Sequence, residues 1–137
     1  MMLPPQSITP IEVGRLVGNV ERFRNEGYRL VQIGCTKVAD HYEINYCFDK
    51  DYMFEVLRIT VTADTEVPSI TGMYWGAFIY ENEMHDLFGI QVKGMNIDFK
   101  GTLIKTRVKF PFSQAAEKVA TPKPAPAKAE PKKEEAP

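Results

Sequence analysis

The sequence predicts an α+β domain: an N-terminal helix, an antiparallel β meander, then a second helix packed on the sheet. Three observations lead there. Apolar residues recur at helical spacing between Val13 and Phe23, alternate with period two between Arg29 and Phe48, and return to helical spacing between Tyr74 and Phe88.

The first helix carries start and stop signals. Thr9 suits an N-cap, Pro10 the first helical position, and Glu12 completes a capping box. Val13, Leu16, Val17, Val20 and Phe23 then fall on one face, and Gly27 is placed to end the helix. This face reads as core packing and carries no chemistry.

Three strands follow. In Arg29–Cys35 the apolar side chains are Val31, Ile33 and Cys35; in His41–Phe48 they are Tyr42, Ile44, Tyr46 and Phe48. Lys37-Val38-Ala39-Asp40 is short enough to be only a turn, so the two segments form a hairpin. If both apolar sets share one face, Val31 lies opposite Tyr46 and Ile33 opposite Ile44. Cys35 and Cys47 then point to opposite faces, which excludes a disulfide. They read as free core thiols, since two cysteines at this spacing match no metal pattern. Met53–Thr62 is rich in β-branched residues and continues the meander.

The length of 137 residues fits one domain. Residues 1–112 make its body, and 113–137 a tail expected to be disordered, because from Thr121 onward only Thr, Pro, Lys, Ala and Glu occur. A net charge of −1 argues against nucleic acid as a partner, because phosphate binding needs clustered Lys and Arg. Met1–Pro10 lacks the basic start and apolar run of a signal peptide, and Val67–Tyr80 is too short to span a bilayer. A soluble, cytoplasmic chain is therefore expected, reaching a membrane only through a partner.

The informative segment is Pro68–Ile90. Ser69 can cap a helix after Pro68, Gly72 or Gly76 can break or kink it, and Gly89 should end it. Projected at about 100° per residue, Tyr74, Ala77, Met84 and Phe88 form one stripe with Glu81 in its middle. Trp75 and Ile79 fall on the other side, among Glu83 and Asp86. Two consequences follow. A helix apolar on both sides needs a partner for the second one. A carboxylate inside an apolar stripe needs a donor, because an unpaired buried charge is costly. His85, one turn on, is a candidate; an arginine from another subunit is another.

Glu81-Asn82-Glu83-Met84-His85-Asp86-Leu87-Phe88-Gly89-Ile90 resembles the signature of the 30-kDa (C-type) subunit family of respiratory complex I, in which two acids precede an Asp-Leu/Met-Phe-Gly element. Val67-Pro68-Ser69-Ile70, the Ala77-Phe78-Ile79-Tyr80 run and the order of elements are similar too. After the motif, however, the chain reads Lys93-Gly94-Met95-Asn96-Ile97-Asp98-Phe99 where the complex I branch has a His-Pro-Asp and paired-arginine stretch. Together with its short length, this resembles the compact version in energy-converting, membrane-bound [NiFe] hydrogenases.

The resemblance implies a scaffold subunit with no catalytic site and no cofactor of its own. It would pack against a large catalytic subunit beside an iron–sulfur small subunit, peripherally on the cytoplasmic side of the membrane. The parent complex would translocate ions, take electrons from ferredoxin and hold iron–sulfur clusters and a nickel–iron centre. Glu81, Glu83, His85, Asp86, Phe88 and Gly89 would be interface and structural residues. The alternatives are a C-type subunit of an NADH or quinone oxidoreductase, and a free-standing adaptor binding peptides at a sheet edge.

Independent catalysis by Glu81, Glu83, His85 and Asp86 is disfavoured, since helical geometry holds Glu81 more than about 90° away from Glu83 and Asp86. A metal at Glu81 and His85 would have to recruit Asp98 or His41. The chain has no cysteine cluster, phosphate-cradling glycine loop or metal-spaced histidine pair.

Overall fold

A computed structural model describes residues 6–114. The order is β1 (Gln6–Pro10), a 3₁₀ turn (Val13–Arg15), α1 (Leu16–Asn25), β2 (Arg29–Val38), β3 (His41–Lys50), β4 (Met53–Val61), β5 (Glu66–Pro68), α2 (Ala77–Phe88), β6 (Gln91–Lys93) and a 3₁₀ turn (Pro111–Gln114). The class is α+β, as expected. Of the predicted tail, Ser113 and Gln114 belong to the last 3₁₀ turn, and the rest lies outside the described residues.

The meander β2–β3–β4 forms, but the sheet is mixed. Its order is β1-β4-β3-β2, with β1 parallel to β4. The residues taken for helix caps make this added strand: Thr9 pairs with Leu57 and Pro10 with Arg58. Pro10 has no N–H to give a ladder, which an edge strand tolerates. Glu12 makes no capping bond, and the α-helix begins only at Leu16. Local cap signals lost to an open sheet edge whose backbone groups needed partners.

Leu16, Val20 and Phe23 are buried as expected, whereas Val17 is 40% exposed. Gly27 ends α1 with φ +91°; its N–H donates to Arg24 O at 3.1 Å, and Tyr28 N–H donates to Phe23 O at 3.0 Å. This Schellman pair satisfies the last carbonyls, and the positive φ is why glycine stands there.

The hairpin register slides by two residues from the expected one. Ile33 faces Tyr46 and Cys35 faces Ile44, with a bulge after Leu30. The cause is a tighter turn: only Ala39-Asp40 separates the strands, with Ala39 at φ +55°. A shift of two keeps Ile33 and Cys35 on their predicted face, whereas the bulge brings Leu30, opposite Phe48, to the core face in place of Val31. Cys47 therefore sits on the face opposite Cys35, and both thiols are free. Burial pushes the Cys35 thiol up to about 12, which favours the protonated form. Between β3 and β4, Asp51 and Tyr52 both take positive φ in the manner of a type I′ turn.

One core holds the domain. Leu16, Val20 and Phe23 of α1 and Ala77 and Met84 of α2 pack with Ile33, Ile44, Tyr46, Phe48, Leu57 and Ile59. Phe48 joins α1 to the turns before α2, its ring 4.8 Å from Phe23 and 5.6 Å from Tyr74. Both helices cover this one face of the sheet. On the other face Arg58 Nε donates to Asn45 Oδ1 at 2.8 Å.

Candidate functional site

The signature residues lie on α2 and on the irregular segments at its two ends. The expected Ser69 cap does not form: the helix begins at Ala77 behind Gly76, with no side-chain capping bond. Residues 69–76 make successive turns instead, with Tyr74 N–H on Ile70 O and Ala77 N–H on Tyr74 O. At the other end Gly89 adopts φ +80° and gives its N–H to His85 O at 2.9 Å. A Cβ at Gly89 would lie 3.0 Å from Cδ2 of Phe110. Gly89→Ala combines that contact with a left-handed backbone, and should lower the unfolding free energy by about 2 kcal/mol. A urea titration measures this; an unchanged midpoint would mean that Phe110 moves aside and the φ strain is trivial.

Glu81 is fully buried, and its donors come from the loop before the helix. Ser69 Oγ–H donates to Oε1 at 2.7 Å, and the buried Ile70 N–H donates to Oε2 at 2.8 Å. Neither partner considered from sequence serves: His85 turns to Asp86, and no outside arginine can reach a side chain with no exposed surface. The network extends outward. Ser69 Oγ accepts the Thr71 N–H at 3.1 Å, and Thr71 Oγ1 accepts the Asn96 N–H at 3.1 Å. β5 and β6 hold this loop in place: Val67 pairs with Val92, and Ser69 N–H donates to Lys93 O at 2.9 Å.

Burial raises the Glu81 carboxyl above its ordinary range, and the hydrogen bonds from Ser69 and Ile70 oppose that rise. Nearby, the buried Tyr46 hydroxyl has no hydrogen-bond partner among the described residues. Burial, and then the charge of Glu81, drive its pKa upward. The Ser69 hydroxyl thus works as a carboxylate donor rather than as a helix cap.

Asp86 is buried too, which corrects its expected place on the outward side of the helix. The chain after β6 folds back over that side and encloses it. Asp86 Oδ2 accepts the Ile104 N–H at 2.8 Å, and Oδ1 lies 3.1 Å from His85 Nδ1. Asn82, which sequence reasoning passed over, binds the same segment. Its Nδ2 donates to Ile97 O at 2.9 Å and its Oδ1 accepts the Phe99 N–H at 3.0 Å. A signal was available, since asparagine in a helix interior is unfavourable unless its side chain bonds elsewhere.

The remaining motif residues are less enclosed. Glu83 and Phe88 are half-buried. The Phe88 ring meets Tyr42 edge-on at 6.1 Å and Phe112 at 5.4 Å, while His85 meets Phe110 at 5.5 Å. The acids therefore do not converge. Glu81 holds the loop at one end of the helix and Asp86 the returning chain at the other, each with both oxygens engaged. Among the described residues no three His, Cys, Asp or Glu come together to hold a metal.

The first turn of α2 and the turn before it are apolar on their outward side. Trp75 is 61% and Ile79 51% exposed, and Trp75 packs on Phe78 with ring centroids 4.8 Å apart. Beside them a groove of about 690 Å³ runs between the end of α1, the start of β2 and the first turns of α2.

The helix that carries buried Glu81 and Asp86 and closes on Asp-Leu-Phe-Gly lies within a segment that matches a known family. The model of the respiratory-chain NADH dehydrogenase 30 Kd subunit matches residues 11–118. This chain belongs to that family. As a member of the 30-kDa family it is a subunit of an oxidoreductase complex of the complex I type. The fold agrees: a subunit of the membrane-bound sulfane sulfur reductase, an archaeal respiratory membrane complex, superposes with a TM-score of 0.70 at 12% identity. The match covers 95% of this chain and 86% of that one. No curated protein sequence matches it. No helix among the described residues of this 30-kDa-family chain is long and apolar enough to cross a membrane.

Proposed function

We propose that this chain is a non-catalytic scaffold subunit of a membrane-associated, ion-translocating redox complex. It packs against the large catalytic subunit and holds it against the iron–sulfur small subunit, keeping electron-transfer distances short. One observation carries the reading: Glu81 and Asp86 bind the chain's own loops, while Ile79 on the same helix and Trp75 in the turn before it face the outside. A helix whose buried acids are satisfied internally and whose exposed side chain is apolar is built for burial against a partner.

The parent complex is of the energy-converting [NiFe] hydrogenase type, fed by ferredoxin, with clusters and nickel–iron centre in the neighbouring subunits. The departure from the complex I pattern after Lys93 supports this. The fold's occurrence in a membrane-bound sulfane sulfur reductase, an archaeal respiratory membrane complex, agrees with the broader class of parent only. The chain would sit peripherally on the cytoplasmic face, held there by its partners.

Affinity purification from native membranes through a tag on this chain, followed by mass spectrometry and metal analysis, tests the reading. Nickel and iron with a hydrogenase-like large subunit are expected. Iron without nickel beside NADH- or quinone-linked subunits would move the chain to a complex I-like parent. Recovery of the chain alone, as a soluble monomer, would overturn the scaffold role.

A further inference from the structure

The groove beside α2 has its own chemistry. Its walls are fixed from within: Tyr74 Oη–H donates to Tyr28 O at 2.7 Å, and Tyr80 Oη–H donates to Val31 O at 3.3 Å. The aromatic surface is therefore preformed, and little ordering entropy is lost when it is covered. Arginine supplies the only charged side chains lining it, Arg24 and Arg29. Arg29 pairs with Asp49 at 2.8 Å. Arg24 donates to the Met73 carbonyl and makes no ion pair among the described residues. A guanidinium offers five donors, so most of those of Arg24 remain for a ligand.

We infer that this groove receives a segment of the large catalytic subunit, one that lays an aliphatic or aromatic side chain on the tyrosine walls and a carboxylate beside Arg24. The inference rests on the scaffold reading above and names the surface and the chemistry of the contact. Two other occupants fit worse. A second copy docking through the same face would set Arg24 and Arg29 near their own symmetry mates, a like-charge contact. The chain's own residues 115–137 hold no Leu, Ile, Met or aromatic residue to fill an aromatic groove, and their five lysines outweigh four glutamates. An acidic, apolar segment from another chain satisfies both the walls and the rim.

The test uses the tagged full-length chain in native membranes, with photoreactive benzoylphenylalanine in place of Ile79. A second probe replaces Tyr52, which is 91% exposed on the β3–β4 turn. After irradiation the Ile79 probe should link to one peptide of the co-purifying large subunit, with an Asp or Glu beside an apolar residue. The Tyr52 probe should not reach that peptide. Arg24→Glu should reduce recovery of the large subunit by about 30-fold, as the loss of a buried interface anchor does, and Arg24→Lys should restore part of it. Unchanged thermal unfolding of Arg24→Glu assigns that loss to the contact; if this variant fails to fold, the cross-link decides alone. Redox subunits that co-purify while the Ile79 probe links to nothing, to a second copy, to residues 115–137 or to a peptide without an acid overturn the groove and leave the scaffold reading standing. A tag that brings down no redox subunit overturns both.

Discussion

Glu81→Ala should lower the unfolding free energy by about 3 kcal/mol, the largest effect expected of any single change in α2. The side chain has no exposed surface and accepts two hydrogen bonds, one from the backbone of Ile70, which is also fully buried. Truncation leaves that N–H without an acceptor and without water, and opens a cavity under the loop. Relief of the carboxylate's own desolvation offsets part of the loss. The released loop also carries the Thr71–Asn96 bonds, so assembly of the parent complex should fall with stability. Urea titration of the isolated chain measures the first effect, and recovery of the tagged complex the second. A midpoint within error of the parent chain would mean that Ser69 and Ile70 find other acceptors.

The same residue sets a pH dependence. Burial raises the Glu81 pKa in the folded state, so the folded chain holds that proton more tightly than the unfolded one. The resulting stabilisation is complete below the ordinary glutamate value of 4.5 and fades as pH rises through the raised folded value. Glu81→Gln, uncharged throughout, should flatten that part of the stability profile. A variant whose profile still falls with the parent's slope would assign the dependence to other groups.

Asp86→Ala comes second, at about 2 kcal/mol, and its effect is local. The bond from Ile104 N–H to Asp86 Oδ2 ties the returning chain to α2. Without it the amides around Ile104 should exchange with deuterium about 30-fold faster. Those pairing β3 with β4 should keep their protection. Asp86→Asn retains an acceptor at that position and should recover most of the difference. Uniform acceleration across the sheet would instead place Asp86 in the global core. Because the tied segment covers one side of the signature helix, Asp86→Ala should also lower complex recovery while leaving the cofactors of the complex unaltered.

Most of the site's placement on the chain was legible before folding; its partners were not. Gly89 as a helix stop, Ile79 on a bare second side and Glu81 inside an apolar stripe follow from helical period and the special conformations of glycine, whereas Trp75 is exposed in the turn before the helix. The donors to Glu81 are not legible in the sequence, because His85 is a neighbour along the helix whereas Ser69 and Ile70 come near only when β5 and β6 pair. Asp86 was placed outside because a helical projection knows nothing of the chain that later folds over it. Thr9 and Pro10 were read as caps because their local chemistry suits that role, and only the free edge of β4 made them a strand.

By itself the sequence determined the α+β class, the faces of Ile33 and Cys35 and of Tyr42, Ile44, Tyr46 and Phe48 in the hairpin, the two glycine-ended helices and the family resemblance. These depend on period, propensity and backbone sterics, which are set by residues a few positions apart. The tertiary structure alone decided the parallel edge strand, the two-residue slide of the hairpin and the partners of Glu81, Asn82 and Asp86. Each depends on which backbone groups would otherwise be buried without a hydrogen bond, and that is fixed only once distant segments are packed together.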